Sequence, residues 1–315
     1  NAYSFILLKY YLILKMSITE IPLKGIDTVI KHKKKPEPTV NHPDLCGFFF
    51  RLASVAQSNS GKTYSICSFI KQYEKYGITD CNGDKMELRT IWFSPTSHYS
   101  SNSIITTLES LDEDDILEDV SEDTIKEYFE MVKTEKETLK KKDAYIKAYK
   151  NFVKIRDPSR LKIEDILILG EYNFEPPNTI FGHLKNYMYV FVLDDVIGSA
   201  SSVIGMKKNN FINNLCIKAR HYQINLIFCV QQIKYLPPII RNNLTIIQLF
   251  ASASDKVLQA YYDEVSNLLT YDEFLQIFHH ATKKKYGSLI INNSLNANHR
   301  FLSDWDKAIT VNGKG

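Results

Sequence analysis

Apolar runs of strand length alternate with helix-like segments along most of this 315-residue chain, and this alternation constrains the fold more than any other feature. The runs lie at residues 47–56, 89–96, 186–195, 222–232, 243–250 and 285–293. Helical spacing follows the first run, and more helices are expected near 205–220, 254–266 and 271–281. Nearly continuous apolar strands between helices are typical of a parallel sheet covered on both faces. We therefore predict an α/β fold with a mostly parallel central sheet flanked by helices.

A polar turn with the pattern A-x-x-x-x-G-K-T joins the first apolar run to the helical segment after it. It consists of Ala56, Gln57, Ser58, Asn59, Ser60, Gly61, Lys62 and Thr63. In a phosphate-binding loop, glycine lets the backbone close around phosphate while the amides point inward at a helix N-terminus. Lys62 is expected to reach the β- and γ-phosphates of a nucleotide, and Thr63 to bind Mg²⁺. Ala56 replaces the glycine that usually opens this pattern, a departure expected to loosen nucleotide binding.

The run at 186–195 ends in two adjacent carboxylates, Asp194 and Asp195. Asp194 is expected to hold Mg²⁺ through water, and Asp195 to orient and activate the attacking water. An acidic pair that caps the following helix is the alternative interpretation. The phosphate-loop pattern earlier in the same chain favours the catalytic one.

The run at 222–232 ends in Cys-Val-Gln-Gln, which brings Gln231 or Gln232 to the sheet edge where ligands bind in open α/β folds. A neutral amide at this edge can sense the γ-phosphate. A surface glutamine without a role is the alternative interpretation.

Several other classes of site find no support in the sequence. The five cysteines form no CxxC pair and no HExxH pattern occurs, which argues against a zinc site. No GxSxG elbow supports a hydrolase triad, and no N-K-x-D motif supports a GTPase. Hydrophobic residues make up 44% of the chain, which excludes a wholly disordered protein.

The net charge of +3 conceals a strong internal asymmetry. Residues 108–130 hold eleven acids and one base, so this block carries −10 and the rest of the chain +13. A basic body suits a polyanionic partner. We expect residues of about 107–160 to form a helical insertion, an acidic arm followed by a Lys-rich helix near 124–153.

Residues 1–40 are expected to be an N-terminal extension and basic linker that precede a main domain at 41–315. The apolar stretch at 1–15 is shorter than the roughly 20 residues that span a bilayer, so no stable membrane span is predicted. We interpret it as a translated upstream stretch, with the natural start at Met16. A membrane-touching segment is the alternative.

Three pieces of the sequence together resemble a known family: AxxxxGKT, VFVLDD and the stretch at 219–243, ARHYQINLIFCVQQIKYLPPIIRNN. They resemble the genome-packaging ATPases of poxviruses, other large nucleocytoplasmic DNA viruses and virophages, in the FtsK/HerA group of P-loop NTPases. The last piece is the most specific, and it contains Arg220, Gln231 and Arg241. The resemblance spans roughly residues 45–295, without the acidic insertion.

This resemblance implies a RecA-like P-loop fold and hydrolysis of ATP with Mg²⁺, coupled to translocation of double-stranded DNA into a preformed capsid. It implies a homo-oligomeric ring in which an arginine of one subunit, Arg220 or Arg241, completes the neighbour's site. It also implies a place in the host cytoplasm, viral factory or virion, with capsid or portal proteins as partners. The insertion at 107–160 is then either a docking site for such a partner or a tolerated surface.

Two alternatives stay open at this point. A HerA/FtsK-like DNA helicase or DNA-transfer motor would use the same chemistry for another task. A scaffold that binds ATP for assembly without hydrolysing it is compatible with Ala56 and with aspartate at position 195.

Overall fold

The computed structural model describes residues 37–95, 104–196, 211–251, 254–295 and 299–309. The predictions for the extension, including those for residues 1–15 and Met16, fall outside these ranges, apart from its last four residues. Residues from Glu37 onward belong to one compact unit.

A single eleven-stranded sheet organises the described part of the chain, in the order β1-β3-β4-β6-β7-β2-β8-β9-β10-β11, with β5 beside β4. Its strands are β1 Thr39–Val40, β2 Arg51–Val55, β3 Ile78–Thr79, β4 Lys85–Phe93, β5 Ile116–Leu117, β6 Tyr187–Asp194, β7 Ile224–Val230, β8 Ile246–Phe250, β9 Ser288–Asn292, β10 Phe301–Ser303 and β11 Lys307–Ala308. The centre, β4-β6-β7-β2-β8, is parallel throughout. Both edges are antiparallel, as in β9 against β8 and β3 against β4.

Eight α-helices connect these strands in the described ranges. They are α1 Lys62–Tyr76, α2 Glu122–Ile155, α3 Ile163–Gly170, α4 Pro177–Phe181, α5 Phe211–Lys218, α6 Pro238–Arg241, α7 Asp255–Asp263 and α8 Tyr271–Ala281. A short 3₁₀ helix, Ala219–Tyr222, leads into β7. Within these ranges no helix is long and apolar enough to cross a bilayer.

Helices cover both faces of the sheet because successive strand residues point to opposite sides. On β6, Phe191 and Leu193 pack into the cluster that contains the buried faces of α2 and α5 to α8. Val190 and Val192 pack into the other cluster, under α1. This confirms the predicted class, an α/β fold with a mostly parallel sheet flanked by helices and a charged helical insertion.

The acidic segment is part of the main core, whereas its composition had suggested a separate arm. Asp115 is buried and forms an ion pair with Arg89 on β4, with 2.8 Å between Oδ2 and Nε. Ser121 caps the N-terminus of α2, because its hydroxyl accepts from the Thr124 amide, and the helix residues Ile125 and Phe129 pack on the sheet. The charge pattern had hidden these apolar positions because they recur only once per helical turn.

The far half of α2 supports a small core of its own, separate from the sheet. Its buried members are Tyr145, Ala148, Leu161, Leu169 and Phe181. They come from α2, α3 and α4 and the turns between them, so the helical region continues past residue 160 to the start of β6.

Candidate active site

The carboxyl ends of three neighbouring strands form the floor of the site. Val55 of β2 is in register with Val230 of β7, and Asp194 of β6 with Cys229 of β7. The last two carbonyls of β7 bind the segments that follow the two neighbouring strands. The Ala56 amide donates to the Val230 carbonyl at 3.0 Å, and the Asp195 amide to the Cys229 carbonyl at 3.2 Å. The sheet order therefore brings the glycine-lysine-threonine loop and the acidic pair together across β7.

The loop between β2 and α1 has the backbone of an anion-binding concavity. Asn59 and Gly61 take left-handed conformations, with φ of 61° and 90°. Asparagine tolerates this region better than most residues and glycine adopts it freely. Left-handed residues at such a loop turn successive amides toward one point, at the N-terminus of α1.

Ala56 fits its position without the glycine that the usual pattern has there. It is buried, and it is not among the described residues with positive φ. An alanine methyl group is therefore accommodated, and the backbone at this position does not require glycine.

Lys62 is buried to 7% exposure and folds back over the loop. Its Nζ donates to the carbonyl of Ala56 at 2.8 Å and to that of Gln57 at 3.4 Å. These bonds hold a positive charge inside the loop, where a bound phosphate oxygen would be an equivalent acceptor.

Asp194 is a buried carboxyl at the end of β6, with 9% of its surface exposed. Burial, and then the neighbouring charge of Asp195, raise its pKa to about 6, while the charge of Lys62 opposes this shift. The residue after it, Asp195, has a φ of 52°, a left-handed conformation that only a few residue types tolerate.

An open cleft of about 1210 Å³ joins these groups. The predicted residues among its lining are Ser58, Asn59, Ser60, Gly61, Lys62, Thr63, Asp194 and Asp195. The cleft continues along α1 as far as Ser68 and Gln72. Its volume exceeds that of a typical small-ligand site, so it can hold a complete nucleoside triphosphate.

Sequence reasoning missed the far wall of this cleft, which residues 284–287 and 304–306 form. Trp305 packs on Phe69 of α1, with ring centres 4.2 Å apart, and its indole N–H donates to the Ser65 hydroxyl at 2.9 Å. The aspartate–tryptophan–aspartate turn at 304–306 was the available signal, but nothing in its local pattern points to the phosphate loop.

A buried polar network fixes this wall behind α1, and its centre is Gln248 of β8. The Gln248 side chain accepts from the Ser54 hydroxyl at 2.9 Å and donates to those of Ser65 at 2.6 Å and Ser288 at 3.0 Å. Ser288 donates in turn to Asp304. Strands β2, β8 and β9 and helix α1 are thus joined through one amide.

Five predicted site residues are not part of the cleft lining. Two of them open the loop, the buried Ala56 and the exposed Gln57, and the other three lie farther away. Gln231 is exposed just after β7, at the carboxyl edge of the sheet, which is the edge where the cleft lies. Arg220 is exposed in the 3₁₀ helix before β7, which is the opposite edge, about 23 Å of strand away. Arg241 ends α6, and its Nη1 pairs with Glu264 Oε1 at 2.6 Å.

The chemistry of the donors fits a hard divalent cation. Thr63 in the first turn of α1 and the buried Asp194 line the same cleft, and oxygen ligands are what Mg²⁺ prefers. In the described ranges, no three or more His, Cys, Asp or Glu residues are placed so that they could hold a metal ion by themselves. Mg²⁺ in nucleotide sites takes only one or two protein ligands and completes its shell with phosphate and water.

No family model matches the sequence, and no curated protein matches it. Among solved structures, the chain is similar to the genome-packaging NTPase B204 from Sulfolobus turreted icosahedral virus 2, at 14% identity and a TM-score of 0.42, over 77% of this chain and 92% of that one. It is also similar to the pCW3 conjugation coupling protein TcpA, at 14% identity and 0.39, over 86% and 67%. A third similar structure is EssC (ATPases 2 and 3) from Geobacillus thermodenitrificans, at 14% identity and a TM-score of 0.38, over 92% of this chain and 46% of that one.

Proposed function

We propose that this protein is an ATP-hydrolysing translocase for double-stranded DNA that packages a viral genome into a capsid. The observation that carries the proposal is the convergence of Lys62, Thr63, Asp194 and Asp195 on one cleft beside an anion-binding loop. This set supplies every group that phosphoryl transfer to water requires from one subunit.

The roles of the residues follow from their positions. The loop amides and Lys62 bind the β- and γ-phosphates, and Thr63 and Asp194 hold Mg²⁺. When bound, the cation neutralises charge that develops on the phosphate oxygens. Asp195, next to Asp194 and more exposed, orients the attacking water and accepts its proton.

The DNA part of the proposal rests on the motifs at 219–243 and on the charge distribution. The chain outside residues 108–130 carries +13, which suits a phosphate backbone. A homo-oligomeric ring, with capsid or portal proteins as further partners, belongs to the same proposal.

The test is the ATPase rate of the full chain with and without double-stranded DNA. We expect DNA-stimulated turnover in the wild type, and a loss of at least about 100-fold in Lys62→Ala, because the charge on the phosphates is then unopposed. The matched control is Lys71→Ala, an exposed lysine of the same helix outside the cleft lining, which should keep the wild-type rate.

Two results would contradict the proposal in different ways. Turnover that requires Lys62 but does not respond to DNA would support the proposed ATPase activity and contradict the proposed DNA translocation. If ATP binds through Lys62 but is not hydrolysed, the proposed motor function of this chain is contradicted.

That last result would favour the second candidate, a scaffold that binds ATP for assembly. It is supported by one observation: Gln231, Arg220 and Arg241 are not among the residues that line the cleft of their own subunit. A single-turnover assay on the assembled protein distinguishes the two, since a scaffold releases no phosphate.

A further inference from the structure

Large apolar side chains that remain exposed in the described ranges fall into two groups. The aliphatic ones, such as Ile163 and Leu167, lie outside the cleft lining. The aromatic ones are Tyr64 and Tyr286, exposed to 65% and 57%, and both line the cleft. The exposed aromatic surface is therefore concentrated where the loop and the acidic pair converge.

Tyr286 is held at this place against its backbone preference. Its φ is 67°, a left-handed conformation that is unfavourable for a bulky residue and that concentrates at functional positions. It packs directly over the phosphate loop, since a Cβ on Gly61 would lie 3.3 Å from the Tyr286 Cβ. Nζ of Lys285 lies 4.9 Å from the ring centre.

A network of hydrogen bonds fixes the segment that carries Tyr286. Two residues farther on, Ser288 is bonded to Gln248 and Asp304, and Gln248 is bonded to Ser65 of α1. The loop that carries Tyr286 is thereby fixed relative to the helix that carries Tyr64. Tyr64 itself stands in the first turn of α1, directly after Lys62 and Thr63.

We propose that Tyr64 and Tyr286 form the base-binding part of the cleft, in which their rings stack on the base of the nucleotide whose phosphates the loop holds. This inference rests on the nucleotide-binding function proposed above. Aromatic rings stack on any base, because every base has a π face. The two tyrosines therefore supply affinity for the nucleoside and no discrimination between adenine and guanine.

Calorimetric titration of the full chain tests this with three probes: ATPγS, GTPγS and inorganic tripolyphosphate, which has no base. Tyr64→Ala and Tyr286→Ala should each weaken both nucleotides about 5- to 150-fold, the range of alanine substitutions at stacking positions. Binding of tripolyphosphate should change less than about twofold. Tyr64→Phe and Tyr286→Phe keep the ring and should bind all three probes like the wild type.

Two further variants separate stacking from a change in the loop. Tyr286→Gly removes the ring but suits the left-handed backbone, so it should lose nucleotide affinity while its melting temperature stays or rises. Leu167→Ala removes an exposed apolar side chain outside the cleft and should change nothing.

The outcomes distinguish this inference from the function on which it rests. Equal losses for tripolyphosphate and nucleotides would show that the tyrosines act on the phosphate loop, and would overturn base stacking. Unchanged nucleotide affinity in both alanine variants, with binding still dependent on Lys62, would overturn it and leave the nucleotide site standing. Nucleotide binding indifferent to Lys62→Ala would refute the proposed function itself.

Discussion

Asp194 meets two opposing demands, because folding buries a carboxyl that the proposed chemistry needs ionised. Its pKa of about 6 lies well above the ordinary value near 4 for an aspartate. Between these values the folded chain binds a proton that the unfolded chain does not. Ionisation of Asp194 therefore destabilises the folded state above about pH 6, and this penalty disappears as the pH falls toward 4.

Asp194→Asn should therefore stabilise the free protein by about 1–3 kcal/mol at pH 8 and abolish Mg²⁺-dependent ATPase activity. The gain in unfolding free energy should shrink as the pH is lowered through 6, since the wild type is then neutral as well. Urea unfolding at pH 8 and pH 4.5, without nucleotide or metal, measures it. A variant that is less stable at pH 8 would contradict the burial penalty.

Asp195 allows its chemistry and its conformation to be tested separately. Asn tolerates the left-handed φ of 52° and is almost the same size, so Asp195→Asn should fold and bind ATP like the wild type. Without a carboxylate to accept the proton of water, its hydrolysis rate should fall about 10²- to 10⁴-fold. Rapid-quench turnover beside calorimetric ATP binding measures the two effects. A hydrolysis rate within tenfold of the wild type would assign the base elsewhere.

The predicted residues that the structure brings together in one cleft are those that a local sequence pattern defines. Lys62 and Thr63 follow Gly61 directly, and Asp194 ends a strand, so local pattern was enough to predict that they meet. Arg241 shows the limit, because its partner Glu264 is distant in sequence and the ion pair depends on the tertiary fold.

At the scale of elements, the amide of Gln248 connects two strands and a helix to β8. Gln248→Leu would leave the buried hydroxyls of Ser54 and Ser288 without one of their partners, and should cost about 2–4 kcal/mol of unfolding free energy. Because the Ser65 contact is lost too, ATP affinity should also fall. Urea denaturation and ATPγS titration measure these effects.

The double variant Ser54→Ala with Gln248→Leu provides the control for this prediction. Removing a donor together with its acceptor leaves fewer unsatisfied groups, so the double variant should recover about 1 kcal/mol relative to Gln248→Leu. Strictly additive losses would mean that the two side chains do not interact.

The elements that the sequence predicted well are the long apolar ones. β6 and β7 are buried on both sides, so they appear as continuous apolar runs in the sequence. The short strands β10 and β11 gave no comparable signal, because pairing with β9 and packing of Trp305 on α1 stabilise them. The wall of the cleft that they help to form could not be predicted for the same reason.

At the scale of the whole molecule, the two candidate arginines can be separated. Arg241 is already paired with Glu264 of the same chain, whereas Arg220 is exposed at the sheet edge opposite the cleft. In a ring, an exposed side chain remote from its own site is the one that can reach a neighbour. We therefore expect Arg220 to be the arginine that acts in trans.

Mixing of subunits tests this prediction. Arg220→Ala and Lys62→Ala should each be inactive alone. An equimolar mixture should recover about a quarter of the wild-type ATPase rate if the subunits mix at random, and about half if they alternate. The physical reason is that Lys62→Ala subunits still donate Arg220 to competent neighbours. If the mixture does not recover activity, Arg220 acts within its own subunit. Arg241→Ala should instead lower the melting temperature, because it breaks the ion pair with Glu264.

The long helix α2 projects from the sheet as a rigid arm. It runs for 34 residues, about 51 Å, without a proline or glycine. Its first part is attached to the sheet from Ile125 to Lys136, whose ammonium donates to the Tyr187 carbonyl of β6. Residues 137–155, about 28 Å of helix, extend beyond this attachment and carry α3 and α4. A tilt of about 5° at Lys136 would move the far end of this segment by about 2.5 Å. In a rigid arm of this kind, a small rotation of the attached segment would be amplified at the far end, and a force applied to α3 and α4 would act on the sheet as a torque.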